Sequence, residues 1–311
     1  MAHIFRGFII LLVTFCAFIE LCGFTFAQKM ANQFNQAVAT APSLTDPAIN
    51  TFDNPHYSWA PRGNARKVLL LFLPGTGGIP RANFSFTQTA AAMGFHTIFL
   101  MYPDDVAAQQ MCSRSSDPDA TMNFRLDIIQ GGERTPRASS ILNRFCKLLQ
   151  YLAQRYPEDN WGRFLLNDGT PDWSRVIVAG QSQGGGHAYV LGKLLNLNKV
   201  VMFGSPKDYS FYFKRTARGF DDNTKTPLSR FYAFNHRRDP KGPYDRQLKI
   251  LDDIGLTKYG VADVNQMRAP YNNAHVLFTD EPVTRGDFHS GPVSGQLSVC
   301  AAVWNYMLNA Q

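Results

Sequence analysis

The sequence has few cysteines, no recognisable metal-binding spacing and no low-complexity stretch, and each absence narrows the kinds of protein it can be. Five cysteines in 311 residues are too few and too widely spaced for a zinc cluster or a disulfide-dense scaffold. No nucleic-acid-binding motif accompanies the formal net charge of +7, so nucleic acid is not an expected partner. Apolar residues make up 45% and charged residues 18%, a balance typical of a globular chain with a buried core.

The N-terminus has the features of a secretory signal peptide. Arg6 precedes an apolar run over residues 8–18, and a small-residue pattern ends at Ala27. The alternative, a membrane anchor, requires about 20 apolar residues, and here Glu20 interrupts the run. We therefore predict that residues 1–27 are a cleaved signal peptide and that the mature protein is secreted or periplasmic.

Short apolar runs alternate along the chain with segments of helical periodicity. Strands are predicted at 68–73, 96–102, 175–179, 199–204, 231–234 and 274–278, and helices at 87–93, 138–155, 184–195 and 296–308. Unbroken apolar strands separated by helices predict an α/β fold with a doubly wound, mostly parallel sheet.

The segments between these elements complete the predicted organisation. Residues 28–66 have no helical period and are expected to cross the surface and to add edge strands. The stretches 104–133 and 207–228 are long and irregular, and we expect them to form cap-like insertions. With no internal repeat and no clean linker, residues 28–311 are predicted to be a single domain.

The strongest local motif is Gly180-Gln181-Ser182-Gln183-Gly184, which directly follows a predicted strand and directly precedes a predicted helix. This context is that of a nucleophile elbow, a sharp turn that holds a serine in a strained conformation and needs glycines on both sides. A phosphate-binding turn is the alternative, but that motif requires a lysine and a different glycine spacing. Ser182 is therefore the candidate nucleophile.

A serine nucleophile needs a base, and the residues after Ser182 include His187, His236, His275 and His289. His187 lies one turn into the helix after the serine, where packing is its expected role, and His275 opens an apolar strand. His289 lies in a turn-rich loop between the last strand and the last helix, which is where such a base is expected. We therefore favour His289.

The base in turn needs a carboxylate to orient it, and two aspartates compete for this role. Asp239 follows the strand predicted at 231–234 after a short polar turn, whereas Asp208 follows the preceding strand and opens an aromatic segment. Both fit the chain order of serine, acid and histidine. We favour Asp239 because Pro240 stiffens the loop behind it at the carboxyl edge of the sheet, whereas the aromatic segment after Asp208 is expected to lead away into a cap. The alternative for Asp239 is a surface salt bridge to Arg237 or Arg238.

The developing negative charge on a reacting carbonyl needs two backbone N–H donors. One is expected from the residue after the nucleophile, Gln183, and the other from the glycine-rich loop Pro74–Gly78 after an earlier strand. Within that loop Thr76 is the favoured donor, and Gly77 is the alternative.

With the glycine-rich loop, the elbow, Asp239 and His289 in this order, the chain resembles secreted esterases and lipases of the α/β-hydrolase superfamily from about Lys67 onward. The resemblance implies hydrolysis of a small-molecule or lipid-like carboxylic ester through an acyl-enzyme, without metal or organic cofactor. The loop departs from the family's usual His-Gly opening by carrying Pro74. An acyltransferase or peptidase with the same residues, and a non-catalytic secreted binding protein, are the alternatives.

Three cysteines remain after the predicted cleavage. An exported chain can hold a disulfide, and we predict one between Cys112 and Cys146, with Cys300 buried and free.

The excess of positive charge is concentrated in residues 205–250, which hold 11 Lys or Arg and 5 Asp or Glu. A solvated surface explains this excess, and peripheral contact with anionic surfaces is the alternative. Aromatic residues in the same segment are expected either to line an acyl pocket or to pack in the core: Tyr209, Phe211, Tyr212, Phe213 and Phe220.

Overall fold

The computed structural model describes Phe34 and residues 36–78, 84–284 and 286–310. The predicted signal peptide, residues 1–27, lies outside the described residues.

The strands are β1 Val38–Thr40, β2 His56–Trp59, β3 Leu69–Leu73, β4 His96–Phe99, β5 Val176–Gln181, β6 Lys199–Phe203, β7 Tyr209–Ser210, β8 Arg215–Thr216, β9 Phe231–His236, β10 Val261–Asp263 and β11 Val276–Thr279. The α-helices are α1 Pro42–Thr45, α2 Ser85–Ala92, α3 Ala108–Cys112, α4 Ala120–Gln130, α5 Ile141–Arg155, α6 Gln183–Leu194, α7 Tyr244–Asp253, α8 Gly291–Ser294 and α9 Cys300–Asn309.

Nine strands form one sheet in the order β1-β2-β4-β3-β5-β6-β9-β11-β10. The strands from β4 to β10 in this order pair in parallel, and β1 and β2 pair antiparallel at one edge. The predicted α/β class with a mostly parallel sheet is therefore confirmed. The leader supplies β1 and β2, as expected.

Both faces of the sheet are buried, which explains why its strands are unbroken apolar runs. In β3, Leu69, Leu71 and Leu73 point into one core, while Leu70 and Phe72 point into the other because side chains alternate across a strand. Helices α4, α5, α6 and α7 cover the first face, and α2 and α9 cover the second. The sheet is thus doubly wound.

The insertion at 104–133 is more regular than the sequence indicates, since it contains α3 and α4. The buried face of α4 includes Arg125 and Thr121 beside its apolar residues, so the apolar positions alone show no helical period. The insertion at 207–228 carries the short β7–β8 hairpin, and Phe211 N–H donates to the carbonyl of Ser113 just after α3 (2.6 Å). The two insertions therefore meet.

The predicted disulfide between Cys112 and Cys146 is wrong, because Cys112, Cys146 and Cys300 are all free thiols. Cys146 Sγ lies 3.9 Å from the carbonyl oxygen of Gly169, in the loop before β5. Cys112 is buried at the end of α3, beside the opposite, carboxyl edge of the sheet. Cys300 is buried, as expected.

Within the described residues, no helix combines the length and the apolar character needed to cross a membrane.

Candidate active site

Ser182 occupies the turn between β5 and α6 with φ 56° and ψ −115°, a left-handed conformation that is strained for any residue with a Cβ. Its backbone N–H donates to the carbonyl of Phe203 at the end of β6 (2.8 Å), and its carbonyl accepts from Gly186 in the first turn of α6 (3.2 Å). The turn is thus held from both sides. The serine side chain faces a cavity at the carboxyl edge of the sheet.

The glycines around Ser182 are required by close backbone approach. A Cβ on Gly180 would overlap with the backbone of Gly184, and a Cβ on Gly184 would overlap with the carbonyl oxygen of Leu73. A Cβ on Gly75 would overlap with the side chain of Gln181 and lie 3.1 Å from Ser182 Cβ. The loop after β3 can approach the serine this closely only because Gly75 has no side chain.

His289 and Asp239 are joined across the same edge of the sheet. His289 Nδ1 donates to Asp239 Oδ2 at 2.6 Å, and the two residues are only 4% and 3% exposed. The other oxygen of Asp239 accepts from the backbone N–H groups of Lys241 (2.8 Å) and Gly242 (3.1 Å). The carboxylate is thus fixed by the turn after β9, and it fixes the orientation of the imidazole.

The second ring nitrogen, His289 Nε2, is buried and has no hydrogen-bond partner among the described residues. The ring packs against Gly204, where a Cβ would lie 3.0 Å from His289 Cε1. His289 and Ser182 line one cavity of about 570 Å³. No hydrogen bond joins the two side chains in the described structure, and such bonds often form only when substrate is bound.

The other three histidines downstream of Ser182 lie elsewhere. His187 is buried in α6 with its ring edge-on to Tyr102, centroids 5.5 Å apart, and burial lowers its pKa well below the usual value. His236 and His275 lie within hydrogen-bond distance of backbone carbonyls, and burial lowers both pKa values. None of the three lines the cavities beside Ser182.

Asp208, the rival carboxylate, forms a different contact. It accepts from Arg125 Nε at 2.7 Å in an ion pair whose side chains are 4% and 2% exposed. Arg125 also donates to the carbonyl of Gln183 (3.1 Å). Asp208 therefore braces the start of α6 through Arg125, and the structure brings Asp239 to His289 instead.

The surface salt bridges considered for Asp239 are not formed. Arg237 pairs with Asp263 (3.3 Å), and Arg238 donates to the carbonyl of Asp280 (2.6 Å).

The backbone N–H groups near Ser182 differ in whether they are already hydrogen-bonded within the protein. The N–H of Gly77, the alternative donor, is taken by the carbonyl of Asp104 (2.8 Å). The N–H groups of Thr76 and Gln183 have no acceptor among the described residues, and Thr76 and Gln183 both line a small cavity of about 20 Å³ with Ser182. Thr76 and Gln183 are thus free to donate.

The side chain of Gln183 connects the elbow to the 104–133 insertion. Its Oε1 accepts from the N–H of Ala108 (2.7 Å), and its Nε2 donates to the carbonyl of Val106 (2.6 Å). Gln183 thereby holds residues 106–108 against the cavity, a role that the sequence motif alone does not indicate.

Asp104 is a second residue that the sequence did not single out. Its carboxylate accepts from the N–H of Gly78 (3.1 Å), while its carbonyl holds Gly77. Burial raises the pKa of Asp104 to about 7. Tyr102 donates to the carbonyl of Pro74 (2.6 Å), so the segment after β4 positions the whole loop that carries Thr76.

The cavity that holds Ser182 and His289 is polar. Its lining residues are Thr76, Ala107, Gln109, Gln181, Ser182, Lys207, Lys241, Asp287, His289 and Ser290. No aromatic residue of the 207–228 insertion is among them; Phe220, for example, stacks on Tyr189 in the core. The structure therefore supports core packing for Phe220. It does not place any aromatic residue of this segment in the wall of the cavity.

Among the described residues, no group of three or more His, Cys, Asp or Glu is placed to hold a metal ion.

The sequence matches no protein-family model and no curated protein. Among solved structures it is similar to the crystal structure of TT1662 from Thermus thermophilus, with a TM-score of 0.43 and 15% sequence identity, over 89% of this chain and 100% of that chain.

Proposed function

We propose that the protein is a serine hydrolase that cleaves carboxylic esters, with Ser182 as nucleophile, His289 as base and Asp239 as the orienting acid. One observation carries the proposal: a serine in a strained strand-to-helix turn shares a cavity with a histidine whose Nδ1 is held by a buried carboxylate (2.6 Å). These are the parts that activate a serine hydroxyl at neutral pH.

The proposed reaction has two halves. Ser182 Oγ attacks the ester carbonyl carbon while His289 Nε2 takes its proton, and His289 then gives that proton to the departing alcohol. Water attacks the acyl-enzyme, again losing a proton to His289, and the acid leaves as Ser182 regains its hydrogen. Asp239 keeps Nδ1 protonated and stabilises the imidazolium that forms in each half.

The carbonyl oxygen becomes negatively charged in both tetrahedral intermediates and needs preorganised donors. We assign this role to the backbone N–H groups of Thr76 and Gln183, because both are free and both residues line the cavity at Ser182. Gly77 is excluded from the role because its N–H is already bonded to Asp104.

Labelling with a fluorophosphonate probe tests the nucleophile directly. The purified protein should be labelled and should hydrolyse 4-nitrophenyl butyrate, while Ser182→Ala should lose both properties and keep its thermal unfolding transition. Ser116→Ala, a change at an exposed residue outside the cavities, is the matched control and should behave like the unmodified protein. Labelling of Ser182→Ala at the normal rate would show that another residue is the nucleophile.

Product analysis distinguishes ester hydrolysis from the other reactions of an acyl-enzyme. With a primary alcohol added to the assay, a hydrolase yields mainly the free acid, and an acyltransferase yields mainly the new ester. Cleavage of a peptide amide at a rate comparable with the ester would identify a peptidase. Absence of both labelling and turnover would favour the non-catalytic binding protein.

We also propose that the protein is exported and that residues 1–27 are removed. The apolar run and the small-residue pattern ending at Ala27 support this. N-terminal sequencing of the protein recovered from a secreting host should begin at Gln28, and an intact Met1 would contradict the proposal.

A further inference from the structure

Among the described residues, three cationic side chains line the two cavities beside Ser182, and two of them form ion pairs. Arg125 pairs with Asp208 at 2.6 Å, and Lys241 pairs with Asp287 at 2.8 Å. Lys207, the third, lines both cavities and has neither a hydrogen bond from its ammonium group nor an ion pair among the described residues. Among the described lining residues, Lys207 is therefore the one cation without a direct partner, and the carboxylates of Asp239 and Asp208 act on it without an ion pair.

The position of Lys207 is fixed by its surroundings. It follows β6, and its aliphatic stem packs on Gly242, where a Cβ would lie 3.1 Å from Lys207 Cδ. Burial lowers the pKa of Lys207, although the nearby carboxylates of Asp239 and Asp208 oppose this effect. An ammonium group that is partly desolvated and lacks a partner gains more from an incoming anion than one in free solution does.

The rest of the larger cavity is suited to a small polar substrate. Among the described residues that line it, Ala107 is the one apolar side chain, whereas sites for long acyl chains are lined mainly by apolar and aromatic groups. Its volume of about 570 Å³ is in the range of small-molecule sites. A long hydrocarbon chain would gain little from burial here.

We propose that Lys207 binds a carboxylate of the substrate, so that the preferred substrates are short esters that carry a free carboxylate near the scissile bond. The proposal rests on the proposed function, because it places the carboxylate in the cavity that holds Ser182 and His289. A charge-assisted hydrogen bond at a partly buried site favours the anionic ester over a neutral one by roughly ten- to a hundredfold in kcat/KM.

Matched ester pairs test this preference. The first pair is mono-4-nitrophenyl glutarate and its methyl ester, which differ by a charge on the acyl side. The second pair, 4-butyryloxybenzoate and its methyl ester, differs by a charge on the alcohol side. The pair with the larger ratio of kcat/KM shows on which side of the scissile bond the carboxylate lies.

Variants assign the preference to Lys207. Lys207→Met should lower the ratio of kcat/KM for the anionic over the neutral ester toward one, mainly through KM, and Lys207→Arg should retain part of it. Lys67→Met removes an equal charge at an exposed position before β3, at the opposite edge of the sheet, and should keep the full ratio. A ratio near one in the unmodified protein for both pairs, or a ratio that Lys207→Met does not change, would overturn the proposal.

Protection of Ser182 provides a readout that does not need turnover. Glutarate should slow fluorophosphonate labelling of the unmodified protein and have a much weaker effect on Lys207→Met. Labelling without protection would overturn the role of Lys207 and leave the nucleophile intact. Protection by inorganic phosphate but not by glutarate would overturn the choice of a carboxylate. If Ser182 is not labelled at all, the proposed function fails, and this inference fails with it.

Discussion

Asp239 and Asp208 are both buried carboxylates that follow neighbouring strands, yet they have different partners. Asp239 holds His289 Nδ1, so Asp239→Asn should leave the imidazole in the wrong tautomer. We expect a loss in kcat of about 10⁴-fold with little change in thermal stability. Steady-state assays with 4-nitrophenyl butyrate on the folded variant provide the measurement, and turnover within tenfold of the unmodified protein would contradict the assignment.

Asp208→Asn should instead act on stability. The change leaves Arg125 buried without its charged partner, and breaking a buried ion pair in this way costs about 3 to 5 kcal/mol. Chemical denaturation should therefore show a large drop in the free energy of unfolding, with a smaller loss of kcat than for Asp239→Asn. If Asp208→Asn lost more kcat than Asp239→Asn, the orienting acid would be Asp208.

The sequence could predict that Ser182, His289 and Asp239 meet at one edge of the sheet, because each is tied to a local signal. The elbow has glycines on both sides, and the other two residues follow strands that are themselves recognisable. Arg125 and Lys207 have no such signal. Arg125 meets Asp208 across 83 residues of sequence, and Lys207 is one of 11 cations between residues 205 and 250. Only the folded chain shows which cations remain unpaired.

Asp104 should make the free energy of unfolding depend on pH near neutrality. Burial raises its pKa to about 7, above the value in the unfolded chain. The native state therefore binds this proton more tightly, and the contribution to stability is full below about pH 4 and is lost as the pH rises through about 7. Asp104→Asn keeps an oxygen for the N–H of Gly78 and removes the titration.

We therefore expect the free energy of unfolding to fall less between pH 5 and pH 8 in Asp104→Asn than in the unmodified protein. Urea denaturation at the two pH values measures this difference. Glu158→Gln, a change at an exposed carboxylate away from Asp104, is the control. An equal fall in both variants would mean that Asp104 is ionised in the native state at neutral pH.

The contact between α6 and β3 depends on a glycine at the first turn of the helix. Gly184→Ala would force a Cβ against the carbonyl oxygen of Leu73, so we expect a loss of about 2 kcal/mol or more in the free energy of unfolding. Gly162→Ala is the matched control, because the nearest atom to its new Cβ is 3.8 Å away. Thermal unfolding of the two variants should separate them clearly, and equal midpoints would show that α6 can shift without cost.

Helices and strands, like the site residues, can be predicted from the sequence only where a local pattern marks them. Strands β3, β5, β6 and β9 are buried on both faces, so their sequences are apolar runs that need no further context. Helices α4 and α7 were missed because polar residues occupy part of their buried faces, including Arg125 in α4 and Gln247 in α7. Strand β10 has three residues, too few to show a period.

The positive charge of the chain is unevenly distributed, and the β7–β8 hairpin presents part of it next to exposed aromatic side chains. Phe211 and Tyr212 are 37% and 58% exposed, and Lys214 and Arg215 are exposed beside them. Aromatic rings next to cations suit the interface of an anionic membrane. If the basic segment has the alternative role of contacting an anionic surface, we expect the hairpin to make that contact.

Vesicle sedimentation tests this expectation. The protein should bind vesicles of phosphatidylglycerol and phosphatidylcholine at about 0.15 M salt and release them at about 1 M, because the screening length falls from about 8 Å to about 3 Å. Replacing Lys214 and Arg215 by serine should weaken binding roughly thirtyfold, since each cation near an anionic surface contributes about 1 kcal/mol.

The double variant Lys67→Ser, Arg155→Ser is the control for that change. Both residues are exposed and lie outside the hairpin, so this variant loses the same net charge and should bind the vesicles as the unmodified protein does. If the two double variants weakened binding equally, the attraction would depend on net charge rather than on the hairpin. Binding that does not respond to salt would show that the basic segment is a solvated surface without an anionic partner.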